Sequence, residues 1–469
     1  MKAVAAVDLG ATSGRVMLGY VGHDELRLVP VSRFPNGPVD VAGSLHWNVS
    51  GLFDHAVAGI ATAARQEPEL AGIGIDSWAV DYGLLCRGRL LAEPFHYRDE
   101  RTAAGVSLVH RAVAPEELYA ANGLQHLPFN TLFQLAEDAA AGRLSGVDSF
   151  LLIPDLLGFW LTGRQFAERT NASTTGLLSP VTGQWDDALI GRLGLPHAIF
   201  PELISAGSTV GELLPEMAGR IGLDGLTVSA VGSHDTASAV VAVPAADDDF
   251  AYISCGTWGL VGVELESPIL SEAGRLANFT NEGGLDGRVR YLHNVMGLWI
   301  LSESVRTWEA EGDTISLPEL LAAASAVTAP VTVFDANDPR FSPPGDLPAR
   351  IAEWCVEYGE PVPAGRAEFV RSIIESLAAA FAEAVRTAAS LSGKRISVIH
   401  MVGGGSQNAL LCQLVADRSE LPVLAGPVEA TAVGNVLVQA RAQGFITGSL
   451  ESMRSLVSRA FEPVAYSPR

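Results

Sequence analysis

The spacing of apolar and polar positions changes several times along the chain, and each change marks an element. Residues 2–8, KAVAAVD, are a short apolar run closed by Asp8, the pattern of a buried strand. A tight GATSG turn leads into GRVMLGYV as a second strand, and ELRLVPVSRF supplies a third. Three strands joined by short turns predict an antiparallel meander rather than a strand–helix–strand crossover. Ser50 is placed to cap a helix over GLFDHAVAGIATAARQ, whose apolar residues recur at helical spacing. LAGIGIDSWAV returns to a buried strand with polar residues at its end. From about Pro94 to Leu226 the pattern is mostly helix and loop, with FNTLFQLAEDAAAG and PDLLGFWLTG as helices and Pro154 at the first position of the latter.

A second start lies near residue 251. AYISCGTWGLVGVEL reads as strand, small polar turn, strand, and echoes the first hairpin. A long helix follows, with Phe369, Ile373, Leu377 and Phe381 at steps of four. The strand ISVIHMV then enters Gly403, Gly404 and Gly405, a helix begins near Ser406, and EATAVGNVLVQARAQG is another helix. The acidic turn PAADDDF separates the halves, so domains over 1–244 and 245–469 are expected.

Composition narrows the classes. A chain of 469 residues, 48% hydrophobic and 18% charged, is a folded protein too long for one ordinary core. The net charge of −22 argues against nucleic acid or an anionic membrane as main partner, since both need basic patches. It leaves room for a phosphate ligand held locally by backbone N–H groups and a metal. Cys86, Cys255, Cys355 and Cys412 are scattered without a CxxC pair, so free thiols and no zinc site are expected. MKAVAAVDLG is too short an apolar run for a secretory leader, and no window approaches ~20 apolar residues. A cytoplasmic setting is the expectation.

Four stretches carry candidate chemistry. In VDLGATSGR, Gly10 and Gly14 let backbone approach a ligand, while Thr12, Ser13 and Arg15 can cradle phosphate oxygens and Asp8 can hold Mg²⁺ through water; an ordinary hairpin explains the same letters. SCGTWG, with Thr257, is a second such turn. In VGGGSQN, one glycine would serve a strand-to-helix connection, and three suggest close approach of something. In VGSHDTASAV, Ser233 or Asp235 can cap a helix, or Asp235 can accept a proton from a substrate hydroxyl with His234 beside it. GIDSWAVDY offers Asp76, Trp78 and Asp81 to a polyol or simply packs an indole, and Asn294 in HNVMGLW is most simply a helix cap.

Taken in order, VDLGATSGRVML, GIGIDSWAVDYGLL, YRDERT, TNASTTGLL, SHDTASAV, SCGTWGL, NFTNEGG, VGGGSQN and AGPVEATAVGN make the chain resemble the FGGY carbohydrate kinases over nearly its whole length. The resemblance implies a two-domain α/β fold, actin-like or ribonuclease H-like, with an interdomain cleft. It implies ATP and Mg²⁺ as cofactors and a small ketose as acceptor, with L-rhamnulose at its C1 hydroxyl expected, and with L-fuculose or a pentulose, or a non-sugar actin-like ATPase, as alternatives. No nucleic acid or membrane partner is implied, and a monomer or small homo-oligomer is expected. By the resemblance Asp235 is the proton acceptor, and Ala79, His234, Thr236 and Asn294 meet the sugar. Ala11, Thr12, Ser13, Gly14, Arg15, Thr257, Ser302, Gly404 and Asn408 meet the nucleotide, and Asp8 is the metal-associated carboxylate. Two positions depart from the family's pattern: Ala79 stands where a glycine is expected, and Ser302 where a glutamine is expected.

Overall fold

The computed structural model describes residues 1–312 and 314–469. The chain divides into two compact units, and the divide is not a single cut. The first unit holds Met1–Ala246 together with Glu264–Tyr291 and Glu429–Phe461, and the second holds Asp247–Val263, Leu292–Val428 and Glu462–Arg469. Two stretches from the C-terminal half thus pack with the N-terminal one.

A six-stranded sheet organises the first unit, in the order Thr209–Glu212, Thr227–Ser229, Leu70–Ser77, Lys2–Leu9, Ser13–Val21, Leu26–Pro35. The first three strands of the chain form the expected antiparallel meander, and Leu70–Ser77 joins Lys2–Leu9 in parallel. Lys2–Leu9 is buried on both faces after its first residue, which is why it reads as an unbroken apolar run. The helix Val49–Gln66 covers one face, where a Cβ on Gly59 would lie 2.5 Å from Val16. The helix Ala430–Ala442 covers the other, where a Cβ on Gly19 would lie 2.3 Å from Val436. The helix Val49–Gln66 is capped by Asn48, whose side chain accepts from Gly51 N, and not by Ser50. Either residue type caps well, and periodicity does not fix which one does.

The second unit repeats the opening. Phe250–Cys255 and Trp258–Leu265 form an antiparallel hairpin, and Val398–Val402 pairs in parallel with the first of them. Val423–Ala425 and Val464–Tyr466 extend the sheet on that side, and Val289–Met296, in this unit from Leu292 on, flanks the hairpin on the other. The long helix Arg366–Ser392 packs on it through Phe381, whose ring lies 2.4 Å from where a Cβ on Gly259 would stand. The four cysteines are free. Among the described residues no helix is long and apolar enough to cross a membrane.

Candidate active site

In the first unit, register alone assembles a charged row. Arg15 pairs with Asp8 across the antiparallel ladder, and Asp8 pairs with Asp76 across the parallel one. The row lies on the sheet face covered by the helix Ala430–Ala442. Asp8 and Asp76 are 2% and 0% exposed. Arg15 Nε lies 3.1 Å from Asp8 Oδ2, and its Nη1 donates to Glu429. Asn435 donates from Nδ2 to Asp76 Oδ2 at 2.5 Å, while Asp76 Oδ1 is buried without a partner. Burial pushes Asp8 up to about 6, with Arg15 pulling it down and Asp235 and Glu429 pushing it up further. Asp76 is raised well above the ordinary carboxylate range, first by desolvation and then by Asp8.

Asp235 enters from the turn that precedes the helix Asp235–Val241. It is the first helical residue, not the cap. The cap position is His234, and Asp235 Oδ1 accepts from Thr236 N at 2.6 Å and Thr236 Oγ1 at 3.2 Å. Its side chain keeps 29% of its surface exposed. Desolvation raises its pKa, and His234 opposes that rise. The turn is fixed from three sides. Ser77 N donates to Ser233 O at 2.9 Å, so residues 233–234 continue the parallel pairing beyond the strand end. Glu168 Oε2 accepts from both Ser233 N and Ser233 Oγ at 3.0 Å. Ser238 Oγ closes the turn onto Gly232 O at 2.7 Å.

The structure brings Asp8, Arg15, Asp76 and Asp235 into one electrostatic cluster with Glu429. Asp8, Asp76, Asp235 and Glu429 outnumber the guanidiniums of Arg15 and Arg33 that act on them, a carboxylate-rich setting that suits a hard divalent cation. Among the described residues no group of three or more His, Cys, Asp or Glu is arranged to hold a metal directly. Asp8 and the unpartnered Asp76 Oδ1 fit an ion such as Mg²⁺, which is held by few carboxylates and several waters. A cavity of about 280 Å³ nearby is lined by Glu168, Thr170, Asn281, Glu282 and Arg288 among others, and neither Asp235 nor Ala79 reaches it.

Other expectations are modified. The turn with Ala11 and Thr12 is tied down by Asn36, whose N–H and Nδ2 donate to Thr12 O and Gly10 O. Thr12 is exposed. Gly14 is a packing requirement, since a Cβ there would lie 2.2 Å from the Phe34 ring. Arg15 is committed to Asp8 and Glu429. Ser13 lies at the strand edge, 3.4 Å from Arg33 Nη2. Asp81 is a structural hub: its carboxylate takes Trp47 Nε1 at 2.6 Å, Trp78 Nε1 at 3.1 Å, Gln134 Nε2 at 3.0 Å and Tyr97 N at 3.2 Å. It fixes the turn carrying Ala79, where Asp81 N donates to Ala79 O and Val80 has φ +68°.

In the second unit, Thr257 lies in the hairpin turn, held by Leu298 N to Gly256 O and Trp299 N to Thr257 O. Ser302 is exposed on the helix Trp299–Ala310 that starts there. Asn294 is no cap; it sits within the strand Val289–Met296. The glycine run divides by role. A Cβ on Gly403 would lie 3.0 Å from Cys255 O, and one on Gly405 2.2 Å from Cys255 Sγ, so these two approach the protein itself. Gly404 faces open space, with nothing within 4 Å of its Cβ position. The following helix is Ala409–Ser419, later than expected, with Asn408 as its cap accepting from Leu411 N at 3.1 Å.

Pattern reading missed Glu429, Asn435, Glu168, Glu282 and Arg290. Only the interior helix glycine Gly434 signals the first two, by marking a helix that must approach another closely.

The model of the FGGY family of carbohydrate kinases, N-terminal domain, matches residues 4–242, and that of the C-terminal domain matches 251–443. A rhamnulokinase of Bacteroides thetaiotaomicron is 39% identical over 99% of this chain and 95% of its own length. One of Pectobacterium carotovorum is 40% identical over 100% of this chain and 94% of its own. Among solved structures, Plasmodium falciparum glycerol kinase with ADP has a TM-score of 0.80 at 16% identity, covering 100% of this chain and 94% of that one. Ligand-bound xylulose kinase from Lactobacillus acidophilus has a TM-score of 0.78 at 17%, with the same coverage. At such identity these structures share the fold, a two-domain α/β fold of the actin-like class.

Proposed function

This chain belongs to the FGGY family of carbohydrate kinases, and on that premise we propose that it transfers the γ-phosphate of ATP to the C1 hydroxyl of L-rhamnulose. The observation that carries the acceptor is the 39% identity, over 99% of the chain, to a protein named rhamnulokinase. Asp235 takes the hydroxyl proton. Its partial exposure lets a substrate reach it, and its raised pKa makes it a better base than an ordinary aspartate. The phosphoryl transition state is loose, so the proton is taken late and positioning matters more than base strength. His234, Thr236, Asn294 and Ala79 contact the sugar, with Ala79 narrowing the pocket by a methyl group.

The first unit supplies the base, most of the ketose contacts and the phosphate-facing 10–14 turn, and the second supplies the other nucleotide contacts. Backbone of the 10–14 turn and the Thr257 turn holds phosphates, the open face of Gly404 admits the nucleotide, and Asn408 stands behind it. Asp8 would hold Mg²⁺, and that ion, when bound, would neutralise phosphate charge. Ser302 is too short to replace the reach of a glutamine.

The test is Asp235→Asn in a coupled ADP-release assay with L-rhamnulose, L-fuculose and a pentulose. The expected result is a loss of kcat of about 10²–10⁴-fold or more with an unchanged melting profile, and L-rhamnulose as best substrate of the unaltered chain. Full activity in the variant overturns the role of Asp235, and L-rhamnulose as poorest substrate overturns the acceptor.

A further inference from the structure

Behind His234 stand two charged side chains to which the proposed chemistry gives no role. Arg290 is fully buried, and its Nε donates to Gly283 O at 2.9 Å. Its Nη2 lies 3.0 Å from His234 Nδ1 and 3.1 Å from Glu282 Oε2. Glu282 Oε2 is 3.3 Å from the same ring nitrogen. On its other edge the ring places Nε2 3.4 Å from Asp235 Oδ1.

The chemistry of the partners decides the tautomer. A guanidinium has five N–H donors and no acceptor, and it is not deprotonated in proteins. Hydrogen-bonded to Arg290, Nδ1 must offer its lone pair, so the ring proton sits on Nε2. Were Glu282 the partner instead, Nδ1 would carry the proton and Nε2 would present a lone pair beside the substrate hydroxyl. Nη2 is the nearer group, and Glu282 is already engaged in balancing the Arg290 charge.

We propose that Arg290, balanced by Glu282, is a positioning residue that locks His234 in the Nε2–H form. His234 then donates towards Asp235 and the acceptor sugar and does not compete for the hydroxyl proton. That consequence rests on Asp235 being the proton acceptor. Glu282 and Arg290 lie in and beside the NFTNEGG stretch, where nothing local points to the histidine at 234.

Two-bond ¹H–¹⁵N spectra of the ¹⁵N-labelled full chain read the tautomer directly, with the His234 ring assigned by its loss in His234→Asn. An Nε2–H pattern is expected, and an Nδ1–H pattern overturns the inference. Replacing Arg290 alone would leave Glu282 buried with its charge unbalanced, so both variants are made together with Glu282→Met, which is neutral and brings no new donor. Arg290→Gln then keeps an N–H donor and should keep the pattern and the ketose KM, and Arg290→Met keeps none. That double variant should lose the single-tautomer pattern and raise the ketose KM on the order of tenfold, with the ATP KM unchanged. Equal ketose KM values in the Gln and Met variants overturn the positioning role. If Asp235→Asn stays active while the Nε2–H pattern persists, the base assignment fails and the tautomer assignment stands.

Discussion

Three adjacent glycines give the sharpest test of the second unit, because the structure assigns each a different reason to be glycine. Gly403 has φ +83° and ψ −173°, a region that only glycine adopts freely, so alanine there should cost about 1–3 kcal/mol. Gly405→Ala drives a methyl group to 2.2 Å from the Sγ of buried Cys255, an overpacking of roughly 1–3 kcal/mol. Gly404→Ala meets nothing within 4 Å, and its backbone is not in the left-handed region, so its stability should change by no more than about 0.5 kcal/mol. Thermal melts without nucleotide should lower Tm by about 2–4 °C per kcal/mol for the first and last variants and leave the middle one near the unaltered chain. A coupled assay should give the reverse order of functional damage among folded protein: Gly404→Ala raises the ATP KM by about tenfold, equivalent to about 1.4 kcal/mol, because its methyl occupies space proposed for the nucleotide. A Gly404→Ala melt as low as that of Gly405→Ala would refute the division of roles. An unchanged ATP KM would remove Gly404 from the nucleotide site.

Burial holds Asp81 at about 6 against an ordinary 3.8, so its contribution to stability is complete below about pH 4 and lost as pH rises through 6. Between pH 5 and 7.5 that loss is about 1.4 kcal/mol, and denaturant titrations should show it shrinking in Asp81→Asn whatever fixed cost the variant carries. Arg454 is held bidentately by Glu264 at 2.8 and 3.0 Å and donates to Val240 O at the end of the Asp235–Val241 helix. Arg454→Met should cost about 3–5 kcal/mol in urea unfolding by leaving a buried carboxylate unbalanced, and Glu264→Gln in the same chain should recover part of it. Ala79→Gly should lower stability by only about 0.4–1 kcal/mol while shifting relative kcat/KM among ketoses, and an unaltered ketose ranking would remove Ala79 from the pocket.

What could be read from the letters was what is local. The hairpin strands, the long helix with Phe381 and the glycine run follow from periods of two and 3.6 and from turn residues, and Asp8 and Asp235 follow from where strands and helices start and stop. The helix caps read from the letters fall two residues late at Ser50, where Asn48 caps, and two early near Ser406, where Asn408 caps, because neighbouring residues cap equally well and only tertiary packing chooses. The partners of the candidate site were not legible for a physical reason. Arg15 meets Glu429 across 414 positions, and Asn435 meets Asp76 across 359. No periodicity spans such a distance. The chain leaves the first unit and returns to it twice, and neither return carries a boundary signal of its own. The one legible trace is a cost. Glycine inside a helix gives up about 1 kcal/mol against alanine, so Gly434 needs a compensating reason. The structure supplies it: a Cβ at Gly434 would lie 1.8 Å from Ser238 O, on the helix that Asp235 begins. The late helix that brings Asn435 to Asp76 can pack this closely on the helix Asp235–Val241 only because position 434 is bare. A glycine set inside a helix that is buried nearly all round, where helix propensity alone gives no use for it, is the available clue that this helix and the one starting at Asp235 belong to one site.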